Sequence, residues 1–309
     1  MKNFLKWGIL LFLVPGCIHE NPPGEFISSD YRSGDGFCLK VGDSILIDHK
    51  MIEYYDLSTH MIYLKDNYRF PEVRWNGGIE FTEFAVYADG EEIYQGVFWP
   101  AVSSHYPFNT PLIQIGPPVY PEYVVKIEFP AMYDSLGNLN PDPRIDPRII
   151  RTLEKYRQLH EGLSLKIDTV HLLDNNMVYV KITVINRDSF NYYILSPDKM
   201  GINLFHYFTN GLLLADINYP YYQYLSHHIQ NTEPVPWDYW NTDWLEILYS
   251  GEEKSFSWIY EDYDVIQPGN YRAWFQFPGL SHVNIDEIKQ ENGRIWLGEV
   301  LAEMNVSFN

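Results

Sequence analysis

The sequence predicts a mainly β fold in which two β-rich domains are joined by one amphipathic helix. Short runs rich in β-branched and aromatic residues recur along the chain, separated by glycine, proline and asparagine turns. Aromatic residues, which favour strands, make up 17% of the sequence. One segment, after residue 146, has the apolar spacing of an amphipathic helix. Together these features indicate an architecture built from sheets.

The first 17 residues have the order of a lipoprotein signal peptide. Lys2 and Lys6 give a positive start, residues 7–14 form an unbroken apolar run, and a glycine–cysteine pair ends at Cys17. The run is shorter than the roughly 20 residues that a membrane-spanning helix needs. The segment resembles the lipobox of bacterial lipoproteins. That resemblance implies cleavage after residue 16, acylation of Cys17 by palmitate-type chains and a lipid anchor in the bacterial cell envelope, at the outer membrane if the cell is Gram-negative. The alternative is a short buried core segment with an incidental cysteine.

Composition restricts the classes of partner. The formal net charge is −19 at pH 7, and the acidic residues are spread along the chain. Nucleic acids and anionic lipid headgroups are bound through clustered lysine and arginine, so we expect neither as a partner. Membrane attachment is then expected through acyl chains alone. With Cys17 acylated, Cys38 is the only thiol, and a small buried residue near the first strand is favoured over a reactive group.

Turn residues divide the chain into five predicted parts. These are a signal peptide (1–16), a tether (17–40), an N-terminal β-rich domain (41–137), a Pro-rich linker with a helix (138–162) and a β-sandwich (163–309). An Asp-Gly pair at 89–90 predicts a tight hairpin turn. In the linker, Asp146 is expected to cap a helix that begins at Pro147 and ends at Gly162.

The second half alternates apolar and polar residues. In residues 177–185, Val178, Val180, Ile182 and Val184 fall on one face of a predicted strand. Later in the chain a Gly-Glu turn (251–252), a strand (255–258), a Pro-Gly-x-Tyr turn (268–271) and a second strand (272–277) follow one another. This order resembles that of bacterial immunoglobulin-like sandwich domains. The resemblance implies an antiparallel sandwich without a disulfide, and it implies little about activity.

Residue types used in catalysis occur without a recognisable constellation. The sequence has no GxSxG, P-loop, GxGxxG, HExxH or CxxC motif. Ser103, Ser104 and His105 are adjacent, but adjacency does not supply the spatial geometry of a catalytic triad. Asp142 and Asp146 are expected to serve as turn and cap residues. We therefore predict no catalytic residue.

The best candidates for metal ligands are three histidines. His206, His227 and His228 could combine with Asp216 or Asp238, since imidazole and carboxylate suit zinc and other divalent ions. Their spacing matches no known motif, and adjacent histidines in a strand point to opposite faces. His206 is expected to be a strand residue with a hydrogen-bonding partner. We predict neither a metal nor a cofactor.

Residues 218–244, here called the aromatic segment, are the strongest candidate for a contact surface. Eight aromatic residues lie among Asn, Gln, Asp and His, with three prolines and no clear strand period. Rings beside amide and carboxylate groups suit a sugar or a protein partner. The alternative is an aromatic flap that packs on the protein's own core. The candidate ligand-binding residues are Tyr221, Tyr222, Trp237, Asp238, Tyr239, Trp240 and Trp244.

The sequence thus predicts a cell-envelope lipoprotein with a non-catalytic binding or structural role. Its partners would be the membrane, through the lipid anchor, and a glycan or an envelope protein. Carbohydrate binding through the aromatic segment is the alternative function. A hydrolase with an unrecognised site is the weaker one.

Overall fold

The computed structural model describes residues 35–70, 81–101, 103–115, 120–132, 140–217, 224–280, 285 and 287–309. The predicted signal peptide and Cys17 lie outside these ranges, as do Tyr221 and Tyr222. No helix within the ranges is long and apolar enough to cross a membrane.

Strands dominate both halves of the described chain, which confirms the mainly β class. The first half contains the strands β1 (Phe37–Val41), β2 (Ser44–Asp48), β3 (Ile52–Asp56), β4 (Met61–Leu64), β5 (Glu83–Ala88), β6 (Glu91–Pro100), β7 (Leu112–Ile115) and β8 (Val124–Lys126). A 3-10 turn (Pro143–Ile145) and helix α1 (Pro147–Lys155) follow.

The second half adds further strands, two short helices and a 3-10 turn. In chain order these are β9 (Leu159–His160), β10 (Leu163–Asp174), β11 (Met177–Asn186), β12 (Tyr192–Leu195), α2 (Pro197–Met200), α3 (Ile202–Phe205), β13 (Leu212–Asp216), β14 (Tyr224–Ser226), the 3-10 turn (Thr242–Trp244), β15 (Leu245–Leu248), β16 (Glu253–Tyr260), β17 (Gly269–Phe277), β18 (Lys289–Gln290), β19 (Gly293–Ile295) and β20 (Val300–Phe308).

Two sheets organise the first half. One has the strand order β2-β1-β5-β6-β7, and the other has the order β8-β4-β3-β9. Strands β5 and β6 are joined by Asp89 and Gly90, with φ angles of 47° and 85°. Both angles lie in the left-handed region that a tight hairpin turn requires, so the predicted hairpin is confirmed.

Strand β1 corrects the predicted end of the tether. The prediction extended the tether to residue 40, but β1 begins at Phe37, and both Phe37 and Leu39 are fully buried. The strand was missed because its two core residues are too few to give a visible period among the surrounding glycines. Cys38 is 2% exposed, and burial raises the pKa of its thiol to about 11. The predicted buried position of Cys38 is therefore confirmed.

Helix α1 begins where the sequence predicts and ends earlier. The carboxylate of Asp146 accepts a hydrogen bond from the Arg148 backbone N–H at 2.8 Å, and Pro147 occupies the first turn. The helix ends at Lys155 instead of continuing to Gly162. The reason is that Arg157, at φ 56°, turns the chain so that it pairs with β3 as strand β9.

The second half is built on two antiparallel sheets that share one core. Their orders are β10-β11-β16 and β14-β13-β17-β20, and a smaller sheet has the order β15-β12-β19-β18. Trp258 of β16 stacks on Phe275 of β17, with ring centroids 5.4 Å apart. This contact joins the inner faces of the two sheets. The immunoglobulin-like assignment stays a prediction.

The run that contains His206 is helical, so the predicted strand there was wrong. Helices α2 and α3 occupy this stretch, and Gly201, at φ 78°, reverses the chain between them. Phe205, the last residue of α3, and Phe208, in the turn that follows, are both buried. Short apolar runs satisfy a strand period and a helical period equally well, and tertiary packing decided between them.

The sheet β8-β4-β3-β9 is buried on both faces. Alternate residues of β3 and β4 point in opposite directions. Tyr54 and Tyr63 belong to the core of the second half, whereas Tyr55 and Ile62 belong to the core of the first. The predicted boundary at residues 138–162 therefore does not separate the two cores. Whether residues 163–309 fold alone stays a prediction, and the shared sheet weighs against it.

A partly buried guanidinium closes the junction between the halves. The Arg294 guanidinium lies 4.4 Å from the ring centroid of Tyr54 and 4.0 Å from that of Phe190. It also donates a hydrogen bond of 2.7 Å to Glu53. The cation thus has two ring faces and a carboxylate as partners, which offset the cost of its burial.

Asp56, at the end of β3, should make stability depend on pH in a recognisable direction. Burial raises the pKa of its carboxyl above the ordinary 3.8. The folded protein therefore holds this proton more tightly than the unfolded chain does. The resulting stability is complete below pH 3.8 and decreases as the pH rises through the folded pKa. Asp56→Asn, which cannot ionise, should lose this decrease and be at least as stable as wild type at pH 8. Urea unfolding at a series of pH values measures the difference.

Asp66→Asn is the matched control for Asp56. The hydrogen bond from Lys289 lowers the pKa of the exposed Asp66 carboxyl, so its contribution to stability is lost as the pH falls. The two variants should therefore deviate from wild type in opposite pH directions. An Asp56→Asn protein that is less stable than wild type at pH 8 would contradict the account.

Candidate functional site

The aromatic segment, described from Tyr224 onward, begins as a strand at the edge of a sheet. Residues Tyr224–Ser226 form β14, which pairs with β13. The sequence of the segment shows no clear strand period, yet these residues form an edge strand. Only three residues pair, so the strand is too short for its alternation to be detected in sequence.

Backbone and ring contacts fix the middle of the segment to the sandwich. The His227 ring stacks on the Tyr260 ring at a centroid distance of 4.5 Å, and its Nε2 donates to the Asn210 carbonyl at 2.9 Å. The next backbone N–H, of His228, donates to the Asp262 carbonyl at 2.7 Å. Further along, the Thr232 N–H donates to the Asn203 carbonyl at 3.1 Å. The segment is thus held at several points along its length.

The aromatic rings divide into buried anchors and exposed faces. Trp240 and Trp244 are half-buried and pack on the core of the second half. The Trp244 ring meets the Phe208 ring edge-on at 6.1 Å. In contrast, Trp237 is 61% exposed and Tyr239 is 45% exposed. The segment therefore packs on the core at Trp240 and Trp244 and leaves Trp237 and Tyr239 at the surface.

The exposed Tyr239 ring is supported from below. The Tyr239 N–H donates to the Pro236 carbonyl at 2.8 Å, which closes a turn. The Tyr239 ring packs edge-on against the Trp244 ring at 5.7 Å. An exposed ring therefore rests on an anchored one, so that binding would lose little side-chain entropy.

Polar groups alternate with these rings. Asp238 lies between the exposed Trp237 and Tyr239 in sequence and is itself half-buried. Asn241 Oδ1 accepts a hydrogen bond from the Asp243 N–H at 2.9 Å and so caps the turn that leads to Trp244. The segment thus combines exposed rings with the exposed Asp243 and the half-buried Asp238 and Asn241. Such a combination can contact an apolar surface and accept hydrogen bonds at the same time.

The three candidate histidines have protein partners. His206 Nδ1 donates to the Ile202 carbonyl at 2.8 Å, and His206 Nε2 accepts from the Tyr260 hydroxyl at 2.9 Å. Burial lowers the pKa of His206 to about 4. His228 instead pairs with Asp264 at 2.8 Å. Within the described residues, no three His, Cys, Asp or Glu side chains form a group that could hold a metal ion.

The other sequence candidates have local roles. Ser104 Oγ and His105 Nδ1 are 3.4 Å apart on an exposed loop. Asp142 pairs with Arg144 at 2.6 Å and caps the 3-10 turn before α1. The predicted turn and cap roles of Asp142 and Asp146 are confirmed.

A charged cleft between the halves was missed by sequence reasoning. It has a volume of about 100 Å³. In the cleft, the Lys289 ammonium lies 2.6 Å from the Asp66 carboxylate and 3.4 Å from the Glu53 carboxylate. The charges that line the cleft therefore largely neutralise one another. The residues come from distant parts of the chain, and no sequence signal could join them. The lining residues are Glu53, Tyr54, Tyr63, Asp66, Arg69, Tyr123, Glu287, Ile288, Lys289 and Arg294.

A second missed feature is a histidine–carboxylate pair at the same junction. His160 Nδ1 lies 2.5 Å from Asp188 Oδ1, and the Tyr192 hydroxyl donates to Asp188 Oδ2 at 2.8 Å. The His160 ring stacks on Phe190 at 4.1 Å. The pair links β9 to the connection between β11 and β12, so it fastens the shared sheet to the second half.

No protein-family model matches the chain, and no curated protein matches its sequence.

The base of the aromatic segment should be sensitive to volume at Gly211. This glycine has a φ of 63°, and a Cβ there would lie 2.7 Å from His227 Nε2, 2.7 Å from the Tyr260 hydroxyl and 2.8 Å from His206 Nε2. Gly211→Ala should therefore lower the free energy of unfolding by about 2–4 kcal/mol, through backbone strain and overpacking. Chemical denaturation monitored by tryptophan fluorescence measures the loss.

Gly251→Ala separates the two causes. Gly251 has a similar φ of 74°, but a Cβ there would meet no atom within 4 Å. This variant should lose only the strain contribution, about 1–2 kcal/mol. Equal losses for the two variants would show that the packing of His206, His227 and Tyr260 around Gly211 is not tight.

Proposed function

We propose that the protein is a lipid-anchored component of the bacterial cell envelope that binds a partner, without catalysis, through the aromatic segment. The proposal rests above all on the exposure of Trp237 and Tyr239 over a fixed base. The anchor is supported by the order of charges, apolar run and cysteine that ends at Cys17.

Exposed aromatic rings of this kind need a reason. Val235, two residues before Trp237 in the sequence, is 89% exposed. Exposure of adjoining apolar side chains costs solvation free energy, and folded proteins retain such surfaces where they bind something. The segment could have buried these rings as it buries part of Trp240 and Trp244. The division into anchors and exposed faces supports a contact surface.

The tether allows the surface to act at a distance from the membrane. Nineteen residues lie between Cys17 and Phe37, the first residue of β1. At a maximum of about 3.3–3.6 Å per residue, this length spans up to about 70 Å. The aromatic segment could therefore contact envelope components well beyond the lipid headgroups.

Photocrosslinking in intact cells tests the proposal and captures the ligand whatever its identity. A benzophenone side chain at Val235 should form an adduct of higher mass on irradiation, because it lies beside Trp237. The same side chain at Ile259, which is 49% exposed on β16, is the matched control and should form none. Cys17→Ser, which removes the acylation site, should release the protein from the membrane fraction and reduce the adduct.

Two results would contradict the proposal. Equal adduct yields at Val235 and Ile259 would mean that the aromatic segment is not a selective contact surface. Mass spectrometry that finds an unmodified Cys17 thiol in the mature protein would refute the anchor.

A further inference from the structure

We infer that the ligand of the aromatic segment is a carbohydrate without anionic groups. The inference rests on the proposed function and adds the chemical class of the ligand. It comes from the charge distribution around the exposed rings, together with the small extent of the exposed apolar surface.

The region that carries the rings contains no cationic residue in its sequence. Residues 200–253 include no lysine or arginine, and they include seven acidic residues. A uronic acid, a sulfate or a phosphate is normally bound by lysine or arginine, often by both forks of a guanidinium. An anionic polymer would therefore meet like charge at this surface without compensation.

The two cations that flank this stretch are already bound. Lys199 donates a hydrogen bond from Nζ to the Leu245 carbonyl. Lys254 forms an ion pair with Glu246. Redirecting either one to an anionic ligand would break an existing contact, so neither offsets the acidity of the surface.

The layer below the segment adds further negative charge. The contacts of His227 and His228 reach residues 260–264, which contain Glu261, Asp262 and Asp264 and no cation. Asp264 accepts hydrogen bonds from the Ser226 N–H at 3.0 Å and from His228 at 2.8 Å. Residues 260–264 thus continue the acidity of the segment above them.

The same groups suit the hydroxyls of a neutral sugar. A carboxylate accepts O–H donors in short, charge-assisted hydrogen bonds. Asp238 and Asp243 provide such acceptors next to Trp237 and Tyr239, whose flat faces can cover the C–H side of a sugar ring. The hydroxyl groups and the C–H face of a sugar ring therefore each have a matching group within the seven residues 237–243.

The size of the exposed surface favours a sugar over a protein. Stable protein interfaces bury about 800 Å² on each partner around an apolar centre. Here the exposed large apolar side chains of the described part of the segment are Tyr224, Val235, Trp237 and Tyr239, and Asp238 lies between the last two in sequence. The two exposed rings, Trp237 and Tyr239, therefore suit a ligand of a few sugar units.

Titration calorimetry with two sets of oligosaccharides tests the inference on the full folded protein. The neutral set contains cello-, xylo-, malto- and N-acetylchito-oligosaccharides, and the anionic set contains oligogalacturonate and oligoalginate. We expect binding to at least one neutral glycan, and affinity for the anionic set at least about tenfold lower at about 0.15 M salt. Trp237→Ala should weaken neutral-glycan binding by about tenfold or more. Phe108→Ala, which removes a ring that is 54% exposed in the first half, should leave it unchanged.

The outcomes separate this inference from the proposed function. Tighter binding of the anionic set, or equal effects of Trp237→Ala and Phe108→Ala, would overturn the inference. So would the absence of binding to every neutral glycan together with a protein adduct at Val235, although the proposed function would then stand. If no glycan binds and no selective adduct forms at Val235, both fail.

Discussion

The structure depends on one sheet that two hydrophobic cores share. Strands β3 and β4 direct Tyr54 and Tyr63 into the core of the second half, and Tyr55 and Ile62 into the core of the first. A sheet buried on both faces cannot be detached from one side without exposing the apolar side chains of that side to water. The aromatic segment is packed on the second core, so the first half indirectly supports the surface that we propose for binding.

Polar groups at the edge of the shared sheet are paired with protein partners. The Arg294 guanidinium lies between two aromatic rings and donates a hydrogen bond to Glu53. The Asp188 carboxylate is paired with the His160 ring and accepts a hydrogen bond from the Tyr192 hydroxyl. A buried charge that loses its partner is strongly destabilising. These contacts therefore favour one position of the sheet, because a displaced sheet would leave the Arg294 and Asp188 charges unpaired. Their role is structural, and it keeps the two halves in a fixed arrangement.

Local signals predicted local structure well. The Asp-Gly turn between β5 and β6 and the Asp146 cap of α1 were both predictable, because each depends on the conformational preference of one or two residues. Helix α3, just before His206, was not predictable, because a short apolar run fits a strand period and a helical period equally well. The exposure of Trp237 against the burial of Trp244 was also beyond prediction, because both lie in a region without periodicity. The charged cleft depends on residues that are far apart in sequence, and only the fold brings them together.

Native-state hydrogen exchange tests the shared sheet most directly. Amide exchange would be followed at increasing, sub-denaturing urea concentrations for β6 in the first half, β4 in the shared sheet and β11 in the second half. If one sheet serves both cores, amides of all three strands should exchange through the same global unfolding, with converging free energies and equal urea dependence. Exchange of β4 and β6 through a separate opening of lower free energy, while β11 remains protected, would show that the second half is stable alone and would contradict the account.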